Sequence, residues 1–262
     1  MLVFLKLGGS LITDKTREKV FRAEVMKRLA NEIRSALSVA GNLKLLIGHG
    51  SGSFGHIVAK KYDTVRGVTT PDEWRGYAQV ANVASELNYH VVSALQDAGV
   101  PALRIQPSAS LRTEDGFIQS MSISPIVNAL AHGLVPVIHG DVAFDDVRGG
   151  TIVSTETLFL YLAHHMPVDL MLLLGEVEGV LDARSQVVPV ISPATLAQYE
   201  AAIGGSHGVD VTGGMETKVR DMLDLVERFP HLAVRILGGH VPLALFDALQ
   251  GKSSSGTLIT GG

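Results

Sequence analysis

The sequence predicts an α/β fold, a three-layer αβα sandwich with a mostly parallel central sheet. Three observations carry that expectation. Short, continuous apolar runs recur along the chain, the pattern of strands buried on both faces. One-sided apolar stripes at helical spacing lie between them, and such strand–helix alternation builds parallel sheets covered by helices. Glycine, 28 of 262 residues, gathers directly after the apolar runs, where open α/β sheets bind their ligands.

In chain order, Leu2 to Leu7 predicts the first strand and ends in Gly8-Gly9-Ser10. A helix over 21–40 follows, with Val25, Leu29, Ile33 and Leu37 four residues apart on one side. The run 43–47 ends in Gly48-His49-Gly50-Ser51-Gly52. A long helix over 73–98 sets Val80, Val83, Ala84, Leu87 and Val91 on one face. Shorter helices are expected over 124–132, 155–164, 193–203 and 212–229, the last with Thr212 as its N-cap. Strands over 135–138, 170–174 and 234–237 end in His139-Gly140-Asp141, Gly175-Glu176 and Gly238-Gly239. No repeat or linker interrupts this pattern. The expectation is a single domain over 1–262, with two lobes meeting near residues 165–170.

Composition narrows the function classes. Lys and Arg number 22 against 26 Asp and Glu, a net charge of −4, which argues against nucleic acid or an anionic membrane as the main partner. An anionic ligand must therefore be met by a few placed lysines or backbone N–H groups. The chain has no cysteine, which excludes disulfides, thiolate nucleophiles and Cys-ligated metals and makes a cytoplasmic location the expectation. The apolar stretch at the N-terminus is too short for a signal sequence, and no run nears the ~20 apolar residues of a membrane span.

The glycine turns carry the chemistry. Gly50 to Gly55 fits GxGxxG after a strand, so a dinucleotide site and a bare strand-to-helix turn are both open readings. The dinucleotide case needs a second strand ending in an acidic residue about 20 positions on. Here residues 63–74 are polar and turn-like, which disfavours it. A phosphate group suits the turn, because glycine lets the backbone approach an anion and a following helix presents its N–H groups. Gly8-Gly9-Ser10, with Lys6 before it, is a second such turn. Two turns at neighbouring strand ends suit two phosphates, as phosphoryl transfer requires.

Other sites are weaker. Gly251-Lys252-Ser253 lacks the first glycine of a Walker loop, since Phe246 stands there. Protein-kinase and HExxH patterns are missing. His164-His165 reads as a helix C-terminus rather than a metal site. A third cluster, 212–218, opens a helix with glycines and sets Lys218 one turn in. A solvated surface lysine is the alternative reading for Lys218, but Lys6, Lys15 and Lys218 form a set. Their place beside three separate glycine turns favours the anion.

Taken together, KLGGSLITDK (6–15), GHGSGSFGH (48–56), VPVIHGD (135–141) and TGGMETK (212–218) resemble the amino acid kinase superfamily and, within it, the isopentenyl phosphate kinase family. The resemblance implies transfer of the ATP γ-phosphoryl group to isopentenyl phosphate, a prenyl monophosphate, in isoprenoid biosynthesis. It also implies Mg²⁺-ATP, a homodimer, an acceptor lobe over 1–165 and a nucleotide lobe over 166–262. The catalytic roles it implies fall on Lys6, Lys15, His56 and Lys218. ATP falls to Lys6, Gly8, Gly9, Ser10, Gly52, Glu176, Leu181, Gly214 and Lys218. The acceptor falls to Gly50, Ser51, His56, Asp141 and Thr155, and no protein metal ligand is implied.

The chain departs from many relatives at two places. Ser154-Thr155-Glu156-Thr157 stands where SGDD is common, and 175–181 stands where TDVDGVY is common. Glu156 and Glu176 keep the charge with one more methylene, and Glu156 is positioned in this reading to orient Lys6 and Lys218. Two neighbouring readings are a fosfomycin-type phosphonate kinase and a non-catalytic nucleotide-binding regulator on the same fold.

Overall fold

A computed structural model describes residues 1–203 and 214–262. Along the chain run β1 (Leu2–Leu7), a single turn α1 (Gly9–Ile12), α2 (Ala23–Val39), β2 (Lys44–His49), α3 (Gly52–Tyr62), α4 (Pro71–Asp97) and β3 (Ala102–Arg104). A hairpin-rich stretch follows: β4 (Arg112–Glu114), β5 (Phe117–Ser120), α5 (Ser124–Ala131), β6 (Val135–His139), β7 (Asp141–Asp145) and β8 (Gly149–Val153). The remainder is α6 (Thr155–Ala163), β9 (Leu170–Gly175), β10 (Val190–Ile191), α7 (Pro193–Ile203), α8 (Met215–Arg228), β11 (Ala233–Gly238), α9 (Ala244–Leu249) and β12 (Thr257–Ile259).

Eight strands form the central sheet in the order β10-β12-β11-β9-β1-β2-β6-β3, parallel throughout except where β11 meets β12. Period-two alternation divides each strand between two cores. Val3, Leu5 and Leu7 of β1 join Leu45 and Ile47 of β2 and Leu172 of β9 under α2, α4 and α9. Phe4, Leu46, Met171 and Leu173 face the other way, under α5, α6 and α8. Both faces are covered, which gives the three layers. The same parity turns Lys6 toward α6 and α8, and turns His49 and His139 toward α4.

The helices fall close to the expected bounds. In α2 the buried stripe is Met26, Leu29, Ala30, Ile33 and Ala36, whereas Val25 and Leu37 lie at its margin. The long helix starts at Pro71, earlier than the apolar pattern indicated, because Thr70 and Glu73 form a reciprocal capping box with Pro71 in the first turn. Met215 opens α8 after Gly214; the expected N-cap, Thr212, lies outside the described residues. His164 and His165 point Nδ1 at the carbonyls of Leu160 and Tyr161, each at 2.8 Å, as a helix C-terminus invites.

A second sheet, β5-β4-β7-β8, was not anticipated from the apolar runs. Its signal was local: Asp115 and Gly116 both take positive φ, 49° and 84°, the mark of a type I′ hairpin. Asp145 holds this sheet together. Its buried carboxylate accepts from the Thr113 hydroxyl (2.7 Å) and from the N–H groups of Asp115, Gly116, Val147 and Arg148 at 2.7–3.1 Å. Desolvation raises the Asp145 pKa, but these donors outweigh it and hold the group below its ordinary value.

Asp145→Asn replaces acceptor capacity with two donors aimed at donors, so a loss of about 1–3 kcal/mol is expected, read by urea unfolding. Because the folded-state pKa is depressed, this contribution is present above the unfolded value of 3.8 and is lost as pH falls below it. An unchanged unfolding midpoint would contradict the role given to Asp145.

Candidate active site

One cavity of about 430 Å³ opens at the carboxyl ends of β1, β2, β6 and β9. Its floor is two glycine turns in close approach. Gly8 N–H bonds the Leu174 carbonyl (2.8 Å), and Gly50 N–H bonds the Leu7 carbonyl (3.1 Å), so each turn is stitched to a neighbouring strand. A Cβ on Gly9 would overlap the Gly52 backbone, and Gly52 has φ +49° with Thr13 and the Gly9 carbonyl against it. No other residue fits both demands at 52. The buried Thr13 hydroxyl clips the turns together, donating to Gly9 O (2.7 Å) and accepting from Ser53 N–H (3.0 Å).

Three separate elements bring charge to this floor. Lys6 stands at the end of β1, Glu156 in the first turn of α6 and Lys218 in the first turn of α8. Glu156 accepts a short hydrogen bond from Lys6 and pairs with Lys218 at 3.6 Å. Burial pushes the Glu156 carboxyl up, and the two ammonium groups more than reverse it, leaving the pKa below its ordinary value. Glu156 is therefore an ionised hinge between two cations. Gly48 makes room for α6, since a Cβ there would stand 2.5 Å from the Thr155 methyl and 2.8 Å from the Phe159 ring.

Lys15 reaches the cavity from an exposed loop. Asp14 stiffens that loop by accepting from the Thr16 hydroxyl (2.6 Å), Thr16 N–H (2.9 Å) and Arg17 Nε (3.0 Å). These bonds, the Thr16 hydroxyl first, pull the Asp14 pKa to about 2. Two ion pairs tie the loop to the body, Lys19 to Glu86 at 2.7 Å and Arg22 to Glu176 at 3.0 Å.

The cavity gathers Lys6, Gly8, Gly9, Ser10, Lys15, Gly50, Ser51, Gly52, His56, Asp141, Thr155, Glu176, Gly214 and Lys218. Leu181 is not among them. It bridges Val187 in a turn and is 39% exposed, so its proposed nucleotide contact lacks a place in this cavity. Thr155 gives its hydroxyl proton to the His49 carbonyl (2.6 Å), acting first as a clip between α6 and β2. Asp141 is buried and accepts from Ser108 N–H (3.0 Å).

Sequence reasoning passed over Thr13, Arg22, Lys60 and Asp63. Lys60 was findable, because four residues after His56 it shares that face of α3. At the same end Ala59, Val65, Val80, Ala84 and Ile152 make an apolar wall. Of the face expected from the long helix, Val80 and Ala84 line the cavity, whereas Val83 and Leu87 pack into the core beneath it.

Glycine turns at parallel strand ends with lysines gathered over them define a protein that handles phosphate groups on an open α/β sheet. The sequence profile described as the Amino acid kinase family matches residues 1–237, and the chain belongs to that family. Among curated relatives, an isopentenyl phosphate kinase of Methanocaldococcus jannaschii is 35% identical over 230 residues, covering 85% of this chain and 86% of that protein. One from Methanothermobacter thermautotrophicus is 34% identical, covering 99% of both. A crystal structure of isopentenyl phosphate kinase superposes with TM-score 0.83 at 30% identity, covering 99% of this chain and 100% of that one. Carbamate kinase from Giardia lamblia, at 14% identity and TM-score 0.72, shares the fold.

Glu156→Gln keeps the shape and removes the charge that both ammonium groups share. A fall in kcat of about tenfold or more is expected from the misplaced lysines, with the far-ultraviolet circular dichroism unchanged. Native kcat in this variant would remove Glu156 from the positioning role.

Proposed function

We propose that this protein transfers the γ-phosphoryl group of ATP to isopentenyl phosphate, yielding isopentenyl diphosphate and ADP. The observation that carries the reading is one cavity lined both by the Lys6–Glu156–Lys218 cluster and by His56 with the apolar side chains of Val65, Val80, Ala84 and Ile152. In the sheet, β9 and β11 lie on one side of β1, with β2 and β6 on the other. A nucleotide triphosphate on the β9 side and a phosphorylated acceptor on the β2 side therefore meet over β1. The relatives named for the same activity support this substrate pair.

In the proposed step an oxygen of the acceptor phosphate forms a bond to the γ-phosphorus as the bond to the ADP oxygen breaks. Such transfer asks the protein for in-line placement and charge neutralisation. Lys6 and Lys218 are prepositioned by Glu156 for the phosphates, and Lys15 approaches from the opposite loop. Each cation aimed at developing charge contributes on the order of a few kcal/mol, by analogy with an oxyanion-hole donor. His56 and the backbone of the Gly50–Gly52 turn hold the acceptor phosphate. The wall of Val65, Val80, Ala84 and Ile152 receives the prenyl chain, worth roughly 0.8 kcal/mol per buried CH₂.

Mg²⁺ belongs to the proposal as the ion carried by ATP. Among the described residues no group of three or more His, Asp or Glu side chains is arranged to cage a metal. Glu156 is committed to two lysines and Glu176 to Arg22. That donor set fits a magnesium held mainly by phosphate oxygens and water, its usual mode in such sites. We extend the proposal to an acceptor lobe over 1–165 and a nucleotide lobe over 166–262, to a homodimer and to a cytoplasmic setting. The cysteine-free chain supports the last, and the exposed Val127 and Leu134 near edge strand β3 support the dimer.

The test is ADP release with Mg²⁺-ATP across isopentenyl phosphate, dimethylallyl phosphate, fosfomycin, acetylglutamate and UMP, beside a control without acceptor. The prenyl phosphates are expected to give the highest kcat/KM. Preference for fosfomycin would overturn the substrate, and silence with ATP still bound would favour a regulator. Lys15→Ala should lower kcat by about 100-fold or more while ATP affinity changes little, because its contact forms in transfer. Equal losses in both would remove that role.

A further inference from the structure

Beneath the acceptor turn lies a buried polar chain that the reaction scheme does not use. His49 and His139 end the adjacent parallel strands β2 and β6, in register with one another. Both are buried, and their rings stack at 5.6 Å with 27° between planes. Each ring sets Nδ1 3.0 Å from the carbonyl oxygen of the glycine that follows it, Gly50 or Gly140. Asn88, buried on α4, contacts His49 Nε2 through its amide nitrogen at 3.0 Å.

The chemistry of the partners settles the tautomer. A carbonyl oxygen only accepts, so Nδ1 of His49 carries the proton, and Nε2 then accepts from the Asn88 amide. The ring stays neutral: burial first, then the neighbouring His139, lowers its pKa to about 3. In a trans peptide the C=O and the next N–H point opposite ways, and there is no cis bond among the described residues. A Gly50 carbonyl turned down to His49 therefore turns the Ser51 N–H up, toward the cavity that Gly50 and Ser51 line. The His49 backbone is itself pinned, its carbonyl accepting from the Thr155 hydroxyl (2.6 Å) and Gly140 N–H (3.2 Å).

We propose that His49 is a positioning residue, whose Nδ1–H, fixed by Asn88, holds the Gly50–Ser51 peptide so that the Ser51 N–H faces the acceptor phosphate. The inference rests on the phosphate-transfer reading of this cavity and adds a residue that touches neither substrate. It predicts a specific pattern of replacement. Asparagine places an amide N–H near the position of Nδ1, whereas glutamine places it near Nε2 and leaves Gly50 O unpartnered.

His49→Gln should raise the acceptor KM and lower kcat/KM by about tenfold or more, as expected for a displaced binding group. His49→Asn should recover most of that loss, with both variants melting at similar temperatures. Equal kinetic loss in the two variants, or none in either, would overturn the proposal. Two-dimensional ¹H–¹⁵N spectra of the histidine rings, assigned by the signal missing in His49→Asn, read the tautomer without any substrate. Nδ1–H is expected, and Nε2–H would overturn the proposal even if the enzyme were fully active. Failure of the acceptor panel with Nδ1–H present would instead fault the substrate assignment, and the kinetic comparison would move to whichever acceptor is turned over.

Discussion

The site depends on one carboxylate shared by two ammonium groups. Lys6 is 150 residues from Glu156 in sequence, and Lys218 comes from a third element. An empty phosphate site holding two lysines would repel them apart. Glu156 gathers them before any ligand arrives, and a phosphate that enters meets donors already in place. Lys6 and Glu156 are largely buried, where the cost of desolvation offsets much of the attraction, and the cluster is better understood as pre-organisation. Its neighbours serve the same end: Gly48 lets α6 approach the sheet, and the Ser154 side chain caps that helix at Thr157 N–H (3.0 Å), fixing Glu156 in the first turn.

A second constraint is steric. Gly9 and Gly52 pass so closely that neither tolerates a Cβ without displacing the other, and Thr13 locks them by two hydrogen bonds. The approach aligns the beginnings of α1 and α3 over one floor. The chain can thus be acidic overall, at −4, and still receive anions, because backbone N–H groups and three lysines make a local field that the net charge does not report.

Beneath that floor the interior changes character. The apolar alternation of β2 and β6 ends in His49 and His139, and the core under α4 becomes a hydrogen-bonded layer with Asn88. A neutral imidazole inside a protein is acceptable when its nitrogens have partners. Here the partner is the backbone of the phosphate turn, so packing of α4 and orientation of the turn are mechanically one unit.

Much of this was legible in the sequence. Runs such as 2–7 and 170–174 mark buried strands because both faces must be apolar, and glycines after them mark turns because only glycine allows such approach. That Lys6, Lys15, His56 and Lys218 line one cavity was readable for the same reason, each standing beside a turn. The second sheet was missed because its strands are short and partly polar, with the hairpin at Asp115-Gly116 as their only local sign. Leu181, given a nucleotide contact by the resemblance alone, lies outside the cavity lining. The tertiary structure alone decided that Val83 and Leu87 belong to the core while Val80 and Ala84 face the cavity, and that His49 Nδ1 meets the Gly50 carbonyl. Periodicity specifies which face of an element is buried. Which distant residue meets that face is set by strand order and helix packing, and those emerge only when the layers close.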